Sequence, residues 1–319
     1  MANSSIQPNS AVDEKIDIFA QDAKNLWLEE GFKWLVRAFA IFVVFMFLWM
    51  IIIIFQEARP AVLKFGLGFL WSQDWDTVEG VYGALPYIYG TLVSSLLAIV
   101  IAVPVGLAIA LVTSEDFLPS YIRAPIAFVV ELIAAIPSVI IGLWGVFVLI
   151  PFLIPLQTWL SVNFNWLPFF ATEEPSGDNL LTAGIILAIM ILPTMAAISR
   201  DVLMVVPKYY RSGSMALGAT RWETIFKVML PSGFSGIVGA TMLALGRALG
   251  ETMAVTMVIG NSEFISASFL DASYTIPAVL ANEFAEAENR LHVGALTYLA
   301  LVLFVVTLAV NIGAVVLVQ

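Results

Sequence analysis

The chain has 319 residues, 61% of them hydrophobic and only 12% charged, with a net charge of −10 and no cysteine. That composition excludes an ordinary soluble domain, and the missing thiols exclude thiol catalysis, thiolate metal sites and disulfides. One histidine, His292, cannot make a histidine metal cluster, and the acidic balance offers no basic face for nucleic acid. Several apolar runs reach the roughly 20 residues a helix needs to cross a bilayer, without the alternation of barrel strands, so the chain reads as an all-α integral membrane protein.

Residues 1–33 form an arm. They mix acids with lysines and lack the basic start and short apolar core of a cleaved signal. Val12, Ile16, Phe19, Ala23, Leu26 and Trp27 recur at helical spacing, which suits either an amphipathic helix on the membrane surface or a solvated arm. The membrane domain is 34–319. Its first span runs from Trp34 to Phe55, followed by a polar loop from Gln56 to Gly83. A second span, Ala84 to Val112, contains Pro104. The third runs from Pro125 to Pro155, with kinks expected at Pro137 and Pro151 and Glu131 near its start, in a structural role. An acidic loop, Gln157 to Asn179, precedes the fourth span, Leu180 to Ser199. The fifth covers Pro231 to Ile259 and the sixth Val293 to Leu317. His292 stands at the mouth of the sixth as an interfacial residue.

Cations orient these six spans. With the N-terminus inside, the cytoplasmic segments hold Lys15, Lys24, Lys33, Arg37, Arg123, Arg200, Lys208, Arg211, Arg221 and Lys227, against Arg59, Lys64 and Arg290 on the other side. Ten against three places both termini and the 200–230 segment in the cytoplasm.

That cytoplasmic segment reads as two short helices over 208–229, with Gly218 as the left-handed stop of the first and Thr220 to Glu223 as a capping box opening the second. Met215, Leu217, Trp222, Ile225, Phe226 and Met229 give it a large apolar face, which either packs on the bundle or docks a partner. The chain has no G-x-x-x-x-G-K-[ST] loop, so it hydrolyses no ATP by a P-loop. In the fifth span Arg247 and Glu251 stand where hydrocarbon is expected. A charge at that depth costs at least a few kcal/mol, so the pair reads first as a site. Spacing of i and i+4 puts both on one helix face, and Gly236, Ala240, Gly246 and Gly250 thin the helix around them. The pair is either a substrate contact or a self-neutralising salt bridge. The guanidinium fork suits an oxyanion bidentately, and a carboxylate beside it accepts a proton from an oxyanion that still carries one near neutral pH. On the outer side Tyr274, Ile276, Val279, Leu280 and Phe284 imply a short helix between Ile276 and Glu286. Asn282, Glu283, Glu286 and Glu288 there are either a solvated face or a docking face.

Gly218 with Leu230-Pro231 resembles the EAA loop of ATP-binding-cassette importer permeases, although Ser212-Gly213-Ser214 replaces E-A-A and Val228 the isoleucine. Residues 245–255, LGRALGETMAV, and 274–287, YTIPAVLANEFAEA, resemble the PstC-type phosphate permeases. The resemblance implies a type I, MetI-like importer permease fold with six transmembrane helices and a coupling-helix pair between helices 4 and 5. It implies a bacterial inner-membrane protein that pairs with a PstA-type permease, with a cytoplasmic ATPase dimer that holds ATP and Mg2+, and with an external phosphate-binding protein. No cofactor resides in this chain. By the same resemblance Arg247 and Glu251 line the phosphate pathway, Ala216, Leu217, Gly218, Ala219, Thr220, Arg221 and Trp222 contact the ATPase, and Tyr274, Asn282, Glu283 and Glu286 receive the binding protein. Competing readings are a permease for molybdate or sulfate, or a proton-coupled secondary transporter using Glu131 or Glu251. The latter predicts an internal repeat, which is not seen. An intramembrane enzyme would need a dyad or metal set that isolated charges do not supply.

Overall fold

The computed structural model describes residues 18–115 and 118–318. The chain divides into two compact units, Met1–Ile53 and Ile54–Gln319. Among the described residues every regular element is helical, with isolated β-bridges only. Six helices are long and apolar enough to cross a membrane: Glu29–Leu70, Leu85–Ser114, Ser138–Asn163, Leu180–Val205, Arg221–Leu249 and Arg290–Val316.

The surface helix expected between Val12 and Trp27 lies outside the described side chains, but the backbone is already helical at Ile18 and continues as α1, Ile18–Phe65. In the first unit Trp34, Phe39, Phe42, Phe45 and Trp49 all stand exposed. A helix that is apolar on every side needs hydrocarbon or partner helices around it.

The second unit begins with the end of α1, where a polar loop from Gln56 is expected. Helix persists instead, because Ala58 and Ala61 are fully buried at helical spacing and Phe65 packs beside them. Gly294 of the last helix approaches so closely that a Cβ there would sit 3.4 Å from the Ala61 nitrogen. A 3-10 turn, Gly66–Leu70, leads into the first outer loop. Then α2, Leu85–Ser114, packs along α6, Leu180–Val205, to form the centre of the bundle.

The region expected as one kinked third span is two helices. The first, α3, covers Ser120–Ala135; Ile136 is extended, with ψ 127°, and α4, Ser138–Trp144, starts after Pro137. The cause is steric: the proline ring pushes the preceding residue out of the α region. Past Pro137 the helix continues through a π turn, Gly145–Leu149, into α5, Ile150–Asn163. The Ile150 N–H donates to Gly145 O, one residue wider than in an α-helix, just before Pro151, which has no N–H. The same device recurs before Pro231, where the Leu230 N–H reaches back to Ile225 O. Helix α5 extends beyond Gln157 into the expected acidic loop. Fully buried Gln157, Asn179 and Thr182 satisfy one another there through bonds of 2.9–3.0 Å.

After α6 come α7, Lys208–Ala216, and α8, Arg221–Thr224; the latter passes through its π turn into α9, Leu230–Leu249. Two short helices follow, α10, Met253–Val258, and α11, Ile276–Glu283, before the last long helix, α12, Arg290–Val318. A central core of small and branched residues joins α2, α4, α6, α9 and α10. A second, richer in aromatics, lies around α11 and the start of α12. A small third one, Ala110, Leu203, Ile225 and Met229, sits where α2 and α6 end.

Candidate functional site

At the end of the bundle that carries the loop between α6 and α9, α7 ends as expected at Gly218, whose φ is +89°. The Gly218 N–H donates to Met215 O at 3.0 Å and the Ala219 N–H to Ser214 O at 3.2 Å, which is the full Schellman pair. Nothing lies within 4 Å of the place a Gly218 Cβ would occupy, so backbone conformation alone demands glycine. The capping box is present too: Thr220 Oγ1 accepts the Glu223 N–H, and the Glu223 carboxylate accepts the Thr220 N–H at 2.9 Å. Of the apolar set read from the sequence, Ile225 and Met229 point inward and anchor α8, while Met215, Leu217, Trp222 and Phe226 remain exposed, Leu217 to 91%. The Trp222 and Phe226 rings stack, 6.0 Å apart. Ala216, Ala219 and Arg221 flank them at the same end.

The charged pair of the fifth span is placed differently from the expectation. Helix α9 stops at Leu249, and Gly250, with φ −96° and ψ −1°, turns the chain out of it. Arg247 and Glu251 therefore do not share one helix face. Two glycines within five residues make that break cheap, since each costs a helix about 1 kcal/mol. The Glu251 carboxylate instead accepts the Ala254 N–H at 3.3 Å, capping the start of α10. Among the described residues no carboxylate lies within 4.0 Å of Arg247, which is exposed. The small residues also divide. Ala240, Ala244 and Ala248 pack into the core and Val202 fills the space at Gly236, but Gly239 and Gly246 have nothing within 4 Å of a built Cβ, and Leu243 is exposed between them. One side of α9, carrying Gly239, Leu243, Gly246 and Arg247, is thus unpartnered among the described residues.

The face at the start of α2 and α12 is closed around a helix near the expected place. Thr275 caps α11 through the Ala278 N–H, and the Ile276 N–H donates to Thr91 Oγ1 of α2 at 2.9 Å. Gly90 permits this approach: a Cβ there would fall 2.2 Å from Tyr274 O. Tyr274 is buried and its hydroxyl accepts from Asn282 at 2.8 Å. Glu283 faces inward, its Oε2 accepting the Trp75 indole N–H at 3.0 Å and lying 3.0 Å from His292 Nε2. Asn282 and Glu286 are exposed. His292, expected at an interface, is buried and stacks on Tyr82 at 5.5 Å. Beside it an open cleft of 460 Å3 is lined by Trp75, Asp76, Thr77, Glu263, Glu283, Glu286 and His292. Burial, and then the Glu283 carboxylate, push the Glu263 carboxyl above its usual range, and burial pushes the Tyr274 hydroxyl up. Trp75, Glu263 and the inward role of Glu283 are missed by sequence reasoning, because their partners lie far away along the chain. Glu131 on α3 borders a small niche with Thr113 and Arg200. Among the described residues no group of His, Asp and Glu converges to hold a metal ion.

Residues 102–319 match the family described as binding-protein-dependent transport system inner membrane component. The chain is 43% identical to the phosphate transport system permease protein PstC of Pasteurella multocida, over 89% of each chain. It is 45% identical to the protein of that name from Mesorhizobium japonicum, over 85% of this chain and 84% of the relative. Two solved structures share the fold at 18% identity and a TM-score of 0.52: a bacterial ABC transporter involved in the import of the acidic polysaccharide alginate, covering 91% of this chain and 98% of that one, and the inward-facing MetNI methionine ABC transporter, covering 76% and 94%. The architecture is that of MetI-type ABC importer permeases. With six helices able to span a membrane, the chain belongs to the binding-protein-dependent transport system inner membrane components, as a multi-pass, non-catalytic permease subunit of an ABC importer.

Proposed function

We propose that the chain is the transmembrane permease subunit of an ATP-driven phosphate importer, forming half of the translocation pathway beside a PstA-type permease. The observation that carries this reading is 43% identity to a PstC protein over 89% of both chains. Both termini face the cytoplasm of a bacterial inner membrane, in keeping with the distribution of cations. A cytoplasmic ATPase dimer, holding ATP and Mg2+, docks on Ala216, Leu217, Gly218, Ala219, Thr220, Arg221 and Trp222, where the exposed apolar side chains cluster. An external phosphate-binding protein lands on the outer face through Asn282 and Glu286, with Tyr274 and Glu283 holding α11 in position beneath it.

The open side of α9 meets the partner permease, and Arg247 faces the pathway between the two. An arginine with no acidic partner among the described residues keeps its planar fork free for an oxyanion. Glu251, at the start of α10, offers a second acceptor a short distance along the path. It accepts from a singly or doubly protonated phosphate and repels a fully ionised sulfate, which biases the path by the proton the anion carries.

Uptake into proteoliposomes holding the assembled complex, with ATP on the ATPase side and binding protein outside, tests this directly. Phosphate should enter in an ATP-dependent way. Arg247→Lys keeps the charge but loses the fork, and should lower uptake by about tenfold at unchanged complex yield. Glu251→Gln should narrow the preference for phosphate over sulfate. ATP-independent uptake, or sulfate or molybdate entering as readily as phosphate in the unaltered complex, would overturn the assignment.

A further inference from the structure

We infer that Arg211 is the positioning residue through which the cytoplasmic knob acts on the transmembrane core, an inference that rests on the docking of an ATPase at residues 208–229. Helix α7 buries none of its side chains fully, whereas α8 is rooted by Ile225 and Met229. What ties α7 down is polar. Ser214 shares a hydrogen bond with Thr224 of α8 at 3.0 Å, and Arg211 reaches the core itself.

Arg211 Nη2 donates to Leu203 O at 3.1 Å and lies 2.8 Å from Glu115 Oε1. Each contact has a structural cause. In a continuous helix the Leu203 carbonyl would accept from residue 207, but that residue is Pro207, which has no N–H, and α6 ends at Val205. The carbonyl of a fully buried residue is left without its helical donor, and the guanidinium supplies one. Glu115 is the residue that ends α2, its own N–H donating to Leu111 O at 3.0 Å. One side chain of α7 thereby holds the cytoplasmic ends of α2 and α6, the two helices that pack along each other at the centre of the bundle. The Arg211 and Glu115 side chains are 20% and 16% exposed, so the pair is shielded more than an ordinary surface bridge. Beside it lies a cavity of 190 Å3, bordered by Glu115, Arg211, Met215, Arg221 and Thr224, so tight packing does not link α7 to the core at that point. A push or pull on α7 then passes to α2 and α6 through the guanidinium. Both contacts fall to one nitrogen, Nη2, which the planar guanidinium holds in place; lysine keeps the charge but carries it on a shorter, more flexible stem.

The test uses the whole complex and three readings: ATPase retained on purification, ATP hydrolysed, and phosphate imported per ATP. In Arg211→Gln, ATPase retention and hydrolysis should stay within about twofold, while import per ATP falls by about tenfold, with Arg211→Lys between the two. If the pair acts as a unit, Arg211→Gln combined with Glu115→Gln should be no worse than Arg211→Gln alone, within about twofold. A second variant guards against a folding defect. The chain contains no cysteine, so Arg211→Cys with Glu115→Cys introduces its only thiols; joining them with a short bis-methanethiosulfonate, which forms a disulfide to each cysteine with loss of methanesulfinate, should restore import per ATP, and cleaving the link with a reductant should abolish it. Unchanged import per ATP in Arg211→Gln, or a cross-link that restores nothing, overturns the role of Arg211 and leaves ATPase docking standing. Failure of the unaltered chain to retain any ATPase overturns the docking on which the role rests. If Arg211→Gln loses the ATPase, Arg211 belongs to the docking surface and the positioning role is wrong.

Discussion

The knob of α7 and α8 and the face around α11, called the outer face in the proposed orientation, are built on opposite plans. In the knob, each stabilising device closes over a few residues: the Schellman pair joins Ala219 to Ser214, and the capping box joins Thr220 to Glu223. Its apolar side chains stay outside, Leu217 most of all. In the outer face the pins are long-range. Trp75 meets Glu283 208 positions away, and Tyr89 donates to Ser266 O across 177. There the large side chains, Tyr82, Tyr87 and Tyr274, are buried. A surface that must be gripped by a partner can be locally rigid and apolar. A surface that closes the end of the bundle is assembled from segments far apart along the chain, so its pins must be long-range.

The comparison breaks most visibly at Glu283. Glu283→Ala leaves the Trp75 indole N–H and His292 Nε2 without their shared acceptor in a largely buried place. Each orphaned buried group costs about 1 to 3 kcal/mol, so thermal unfolding of the purified complex should fall clearly, by about 2 to 4 kcal/mol of stability in all. Glu283→Gln retains an oxygen acceptor and should lose less than half as much. Identical melting of Glu283→Ala and the unaltered chain would show that the outer pins are not holding the face closed.

A smaller effect belongs to the knob. Gly218→Val forces a β-branched residue to φ +89°, which costs about 1 to 2 kcal/mol or more. Because a Cβ there meets no atom within 4 Å, the penalty is conformational and not a clash. Asn tolerates positive φ far better. Phosphate import should therefore fall in the order Gly, Asn, Val, while melting of the bundle stays close to that of the unaltered complex. Equal import by Gly218→Val and the unaltered chain would show that the angle of the knob is immaterial.

The same contrast explains what could be read in advance. The turn at Gly218 and the cap at Thr220 are legible because every partner lies within about five residues, and the number of spans is legible because hydrocarbon length is a property of one segment. Two boundaries went otherwise. Pro137 divides a helix where a kink is expected, because Ile136 leaves the α region altogether, and Gly250 ends α9 before Glu251, so an i, i+4 argument assumes a helix that has already stopped. Arg247 is visible as a charge in an apolar run; that it has no acidic partner among the described residues is not. The outer pins carry no local signal at all. His292 looks interfacial by position, and only the convergence of the first outer loop, α11 and the start of α12 buries it against Tyr82 and Glu283. Arg211 has a partial signal, since Pro207 four residues after Leu203 predicts an orphaned carbonyl, but nothing local points to Glu115 as the second partner.

The smallest effect sharpens the contrast through pH. The Glu263 carboxyl, in the loop between α10 and α11, is held above its usual range first by burial and then by the neighbouring Glu283 carboxylate, with Asp76 adding to it. A carboxyl raised in the folded state binds its proton more tightly there than in the opened chain. Its contribution is therefore fully present below the pKa of the opened state and is lost as pH rises through the raised folded value. Acidification toward pH 5 should thus tighten the loop of residues 261–275, and mildly alkaline conditions should loosen it. The Gly218 turn contains no comparable group and should not respond. Hydrogen exchange of the purified complex, corrected for the intrinsic pH dependence of amide exchange, should show protection of the outer loop falling by a few-fold between about pH 5 and pH 8, with the knob flat over the same interval. Glu263→Gln removes the titration while keeping the shape of the side chain, and should give the protected loop at every pH. If the unaltered loop shows no pH dependence, or if Glu263→Gln keeps it, the proton held at Glu263 plays no part in closing the outer face.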